Sequence, residues 1–124
     1  MPLLTRGSGR GEFIRQTGSP GRYGVVVLIL EPADLDGRCS LSWEVAEETI
    51  PVIFLDATVR AIHHVIGEDG FEGDYLSDCR IRVVEGAYNH VDSSMNCYVM
   101  ASALAMREAL RSVGLYSSAA SVLP

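Results

Sequence analysis

Hydrophobic positions along the chain recur at two spacings, every second residue and every third or fourth, and the switches between them mark out six elements. Glu12 to Gln16 forms a short strand in this reading. Turn formers are so dense in Thr17-Gly18-Ser19-Pro20-Gly21 that a tight reversal follows. Tyr23 to Leu30 is continuous and β-branched, as in a central strand, and Glu31-Pro32 stops it. Asp34 to Gly37 reads as a turn. From Ser40 to Ala46, Leu41, Trp43 and Val45 alternate with Ser42, Glu44 and Ala46, which predicts a strand with one solvated face. After Pro51, the residues Phe54, Ala57, Thr58, Ala61, Ile62 and Val65 return at helical spacing as far as Gly67.

Leu76 to Val84 alternates again, with Cys79, Ile81 and Val83 on one side and Arg80, Arg82 and Val84 on the other, and Gly86 ends it. Asp92-Ser93-Ser94 is a helix-start signal in which Asp92 is the expected structural cap. Met95, Val99, Ala103, Met106, Leu110 and Val113 predict the buried stripe of the last helix, and Gly114 stops it. Ala101, Ala105 and Ala109 recur every fourth residue, so that side of the helix is small enough for close approach to the sheet or to the other helix. The predicted order is β-β-β-α-β-α. Residues 1–11, with Gly7, Gly9 and Gly11, offer little to bury and much backbone entropy to lose, and read as a flexible tail. Residues 12–113 form the domain, and residues 114–124 a second tail without clear period.

A length of 124 residues suits one hydrophobic core. Hydrophobic residues at 48% and charged residues at 21% exclude a disordered chain or a fibre. The longest apolar run, Val25 to Leu30, is far short of the roughly 20 residues of a membrane helix, and the first ten residues lack a signal-type apolar core. The expectation is a cytoplasmic protein with no membrane partner. The net charge of −6 disfavours nucleic acid, yet its distribution matters: residues 1–30 carry +3, residues 31–78 carry −10 and residues 79–124 carry +1. Every fixed cation is an arginine, suited to forking onto phosphate or stacking on a base, although codon usage explains the missing lysines equally well.

Cys39, Cys79 and Cys97 have no CxxC spacing and read as reduced core thiols. His63 and His64 are adjacent on a helix, point about 100° apart and do not chelate one metal together. The acidic loop Glu68 to Asp74 lacks calcium-loop spacing. A Ser/His/Asp assembly drawn from Ser93 or Ser94, His90 and Asp92 conflicts with the capping role of the aspartate. No phosphate loop or GxGxxG motif opens a helix, so neither catalysis nor a cofactor or metal is expected.

Four strings are more specific. Arg15-Gln16-Thr17-Gly18-Ser19-Pro20-Gly21-Arg22-Tyr23-Gly24 resembles the segment that opens the fourth domain of bacterial elongation factor G. Ile50-Pro51-Val52-Ile53-Phe54-Leu55-Asp56-Ala57, then Arg60-Ala61-Ile62, is similar to that family's first helix entry. Asp78-Cys79-Arg80-Ile81-Arg82 resembles its next strand. Gly86-Ala87-Tyr88-Asn89-His90-Val91-Asp92-Ser93-Ser94 and the alanine-rich run after it resemble its last loop and helix. The blocks keep the family's order over residues 12–113.

The resemblance implies an α/β two-layer sandwich: a four-stranded sheet with two helices on one face and a left-handed crossover, where general principles favour a right-handed one. It further implies an arm that enters the decoding region of the small ribosomal subunit, its two tip loops touching tRNA, mRNA and rRNA. Those loops map to Thr17, Gly18, Ser19, Pro20, Gly21 and Arg22, and to Tyr88, Asn89 and His90. Arg22 stands where the family has Gln, Ser19-Pro20 where it has a second Gly, Asn89 where it has His, and His90 where it has Asp. The GTPase domain is missing, so GTP-driven translocation is not expected of this chain. The function expected is non-catalytic binding of structured RNA at the ribosome; the alternative is a protein-interaction module that kept the fold and lost the ribosome. A small-molecule kinase on the same fold lacks its phosphate loop. The initiating Met1 and divergent tail favour a small independent gene over an excised fragment.

In a two-layer fold the face without helices is wet and strands alternate, but the apolar run Val25 to Leu30 places three aliphatic side chains there. Two covers are available for them: the apolar tail Leu115 to Leu123, or a second copy of the chain in a homodimer.

Overall fold

Strands β1 (Gly7–Arg15), β2 (Arg22–Pro32), β3 (Cys39–Trp43) and β4 (Cys79–Ala87) make one mixed sheet in the order β1-β2-β4-β3. Helix α1 (Leu55–Glu68) follows a 3-10 turn at Val52–Phe54, and α2 (Met95–Ser112) ends the fold. The structure is a computed structural model and describes residues 2–17, 21–68 and 76–115. β1 with β2 and β2 with β4 are antiparallel, whereas β3 and β4 are parallel, so α1 is the helix of a β-α-β crossover.

Register determines which residues meet the helices. Gly7, Gly9 and Gly11 lie opposite Leu30, Leu28 and Val26, which continue into Ile81 and Val83, and these into Leu41 and Trp43. Val26, Leu28, Leu30, Ile81 and Val83 on this face are buried under α1 and α2 with Tyr98, Ala101, Ala105, Met106, Ala109 and Leu110, whereas Leu41 and Trp43 on β3 are half-buried. A bulge between Val27 and Leu28 leaves Val84 unopposed and brings Gly86 back to the helix face against Ile50.

The largest correction concerns the amino-terminal segment expected to be a flexible tail. Residues 7–11 are the first half of β1, and Leu3 is buried, its amide donating to the Ser77 carbonyl at 3.0 Å. The glycines serve close approach: a Cβ on Gly9 or Gly11 would overlap backbone atoms of Ala101, Ala105 and Ala109. The period-two glycines of β1 therefore match the period-four alanines of α2, and the helix lies directly on the strand. Met95, expected in the buried stripe, is 44% exposed, and the buried side of α2 is wider than one stripe because α1 packs against it as well. Thr58 and Ser102 meet in that helix–helix seam, the Ser102 hydroxyl donating to Thr58 Oγ1 at 3.0 Å and Thr58 to the Phe54 carbonyl at 3.1 Å.

On the outer face Val25 is 2% exposed, and Val27 and Ile29 are half-buried. The expected row of three uncovered aliphatics is thus corrected to two half-covered ones, flanked in register by Ser8 and Arg10 of β1 and by Arg82 and Glu85 of β4. Arg82 is held at 2.9 Å from Glu31 and 2.8 Å from Glu44. The motive for a second copy over this face is correspondingly weaker. Of the tail proposed as the other cover, residues 116–124 lie outside the described residues.

At the end of the sheet where β2 finishes, Asp36 and Gly37 turn the chain with φ of 58° and 80°. The amides of Gly37 and Leu35 donate to the Asp78 carboxylate at 3.0 and 3.1 Å, which holds its carboxyl below the usual range. Among the described residues, no helix is long and apolar enough to cross a membrane.

Candidate nucleic-acid interface

The hairpin between β1 and β2 and the segment between β4 and α2 emerge at the same end of the sheet, because Arg22 opens β2 while Ala87, opposite Val25, closes β4. Asp92 joins them. Its Oδ2 accepts from Gln16 Nε2 at 2.8 Å and its Oδ1 from the Gly21 amide at 3.1 Å. Asp92 is therefore not the helix cap that its sequence position suggests. Ser94 occupies the N-cap position with an extended backbone and no side-chain cap bond, and the aspartate turns across to the other loop.

The second loop is braced from within. Asn89 Oδ1 accepts from the amides of Val91 and Asp92, both at 2.9 Å, closing an Asx-type turn. The Ser93 hydroxyl accepts from the Asn89 amide at 3.0 Å and donates to the Tyr23 carbonyl at 2.7 Å. Ser93 Oγ is thus engaged with Asn89 and Tyr23, and the Asp92 carboxylate with Gln16 and Gly21.

Behind the loop stands an aromatic column. Tyr88 tilts on Phe54 at 5.8 Å between centroids, and Phe54 stacks on buried Tyr98 at 4.3 Å. Tyr98 donates its hydroxyl to the Ala87 carbonyl at 2.6 Å, and burial pushes its pKa up to about 12.

What this end presents outward is cationic, polar and aromatic. Thr17, Arg22, His90 and Val91 are exposed, and Tyr88 is 36% exposed. Arg22 makes no ion pair with another described residue. Arg15 lies 5.8 Å from the Phe13 ring, and like Arg22 it projects from the last register pair of the hairpin. Glu31, Asp34, Asp36 and Asp78 sit at the opposite end of the sheet. Of the expected tip residues, Gly18, Ser19 and Pro20 lie outside the described residues, while Thr17, Gly21, Arg22, Tyr88, Asn89 and His90 are gathered here. Gln16, Asp92 and Ser93 were missed as the residues that join and brace the loops. Their only signal is membership of the conspicuous strings at 15–24 and 86–94.

Residues 5–114 match the family described as "Elongation factor G, domain IV". A curated relative named elongation factor G, from Dehalococcoides mccartyi, is 28% identical over 108 residues, which are 87% of this chain and 16% of that protein. A crystal structure from Thermus thermophilus superposes with a TM-score of 0.75 at 27% identity, covering 89% of this chain and 16% of that one. The chain thus spans about a sixth of the length of these relatives.

Proposed function

The chain belongs to the elongation factor G domain IV family, and from that premise we propose that it is a non-catalytic module whose tip binds structured RNA at the decoding region of the ribosome, in the cytoplasm. The observation that carries this reading is the Asp92 bridge, which holds two loops bearing exposed Arg22, His90 and Tyr88 in one preorganised end. Arginine supplies phosphate contacts, and a tyrosine backed by two further rings offers a surface on which an unpaired base stacks. Glu31 and Asp78 lie at the end of the sheet away from the tip, while Glu47, which accepts from the Val52 amide beside Phe54, lies on the tip side, so only part of the net charge of −6 is held away from the arginine.

Co-sedimentation with small ribosomal subunits at graded salt tests the proposal. Arg22→Glu is expected to weaken binding about tenfold, equivalent to about 1.4 kcal/mol, and to lower the salt slope by about 1 or more. Asp92→Ala separates positioning from charge: it removes an acid from the tip, so a purely electrostatic site binds more tightly, whereas a site that depends on joined loops binds more weakly. Failure of the unaltered chain to sediment with the subunits rejects the reading in favour of a protein partner.

A further inference from the structure

At the end of the sheet away from the tip, Cys39 and Cys79 are direct register partners on the parallel strands β3 and β4. Being in register they share the helix face, and neighbouring strands stand about 4.8 Å apart, within the roughly 4.4–6.8 Å that disulfides span between Cα atoms. The two residues differ in access. Cys79 is fully buried, whereas Cys39, expected from the sequence to be a core thiol, is exposed. It lines a groove of about 480 Å³ between α1 and the β3 edge, with Leu41, Val59, Ile62, Ile66 and Leu76 as its apolar walls.

We propose that Cys39 and Cys79 form a reversible thiol–disulfide site, with Cys39 attacking a low-molecular-weight disulfide that enters through this groove and Cys79 resolving the product. The Cys39 thiolate attacks one sulfur of the disulfide, forms a mixed disulfide and releases one thiolate. Cys79 gives its proton to that thiolate and attacks the Cys39 sulfur, expelling the second thiolate, which takes the other proton from solvent. Two protein thiols are oxidised and one small disulfide is reduced to two thiols.

The division of roles follows from the surroundings. Hydrogen bonding from Cys79 brings the Cys39 thiol down to about 7, against the opposing effects of burial and of the Asp78 carboxylate. The Cys39 thiol also lies 3.2 Å from the Leu76 carbonyl, which accepts from it while it is protonated. The same interaction with Cys39, together with burial, pushes Cys79 up, so Cys79 does not compete as first nucleophile. Once Cys39 is in a mixed disulfide its charge is gone, and the largest cause of that upward shift goes with it.

The test uses the full reduced chain and oxidised glutathione at pH 7, followed by non-reducing peptide mapping and thermal denaturation. The expected product is an intramolecular Cys39–Cys79 peptide, lighter by two hydrogens, with Cys97 still reduced, an upward shift of the thermal midpoint, and complete reversal by excess reduced glutathione. Cys39 should react about threefold faster than an unperturbed thiol, because a larger thiolate fraction outweighs the lower intrinsic nucleophilicity. Cys79→Ala should stop at the glutathione adduct on Cys39. Cys39→Ser, a change at an exposed site, should leave Cys79 unmodified in the folded protein. Arrest of the unaltered chain at the mixed disulfide, or a linkage to Cys97, overturns the proposal.

Discussion

The two helices cover the same face of the sheet in opposite manners. α2 lies on β1 and β2 with glycine facing alanine, and nothing fits between them. α1 leans on α2 through Thr58 and Ser102, and between it and the β3 edge a groove of about 480 Å³ stays open. Close packing leaves the first seam no freedom to absorb volume, while the second has room to admit a side chain or a small molecule. The halves of this domain therefore differ in what they tolerate, and among the described residues the looser half is the one that exposes a cysteine, Cys39.

The most severe test of that contrast is Gly11→Val, whose side chain would overlap the Ala101 carbonyl and the Ala105 amide. It should destabilise by about 3 kcal/mol or more in denaturant titration, and a loss below about 1 kcal/mol would mean that α2 can move away. Next comes the helix–helix seam. Thr58→Val leaves the buried Ser102 hydroxyl without its acceptor and should cost about 1–2 kcal/mol, whereas Thr58→Val with Ser102→Ala should recover most of it. At the groove, Val59→Leu adds a methylene where space exists, and its stability should shift by less than about 1 kcal/mol.

The smallest effect is electrostatic and lies on the outer side of β3 and β4. Hydrogen bonding to Arg82 holds Glu44 at about 2, against an ordinary value of 4.5. A depressed folded-state value means that this stabilisation is complete above about 4.5 and is lost as pH falls from there through about 2. Glu44→Gln should remove that part of the acid dependence of the denaturation midpoint and leave the neutral-pH fold intact. Tyr98 provides the alkaline counterpart: raised from 10 to about 12, it contributes stability that is complete below 10 and is lost as pH climbs through 12, and Tyr98→Phe should flatten that limb.

The order of strands and helices, the loop positions and the family were legible in the sequence because each leaves a local trace. Alternation in Leu41–Trp43 and Cys79–Val83, helical spacing from Phe54 to Val65, and the strings around Gly18 and Asn89 all lie within short windows. The strand order β1-β2-β4-β3, the true start of β1, the bulge at Val84 and the burial of Val25 became definite only in three dimensions. Gly7, Gly9 and Gly11 illustrate the reason. Alone they signal lost entropy, and they become a packing surface only when a helix with matching alanines is laid on them. Asp92 illustrates it again, since a carboxylate in that sequence position has several donors within reach, and the hairpin amide and Gln16 prevail because tertiary pairing carries them there from 71 and 76 residues away. Cys39 and Cys79, 40 positions apart and silent as a motif, become neighbours through strand register alone. Periodicity reports which side of an element is buried, and what lies against that side is decided by long-range contact.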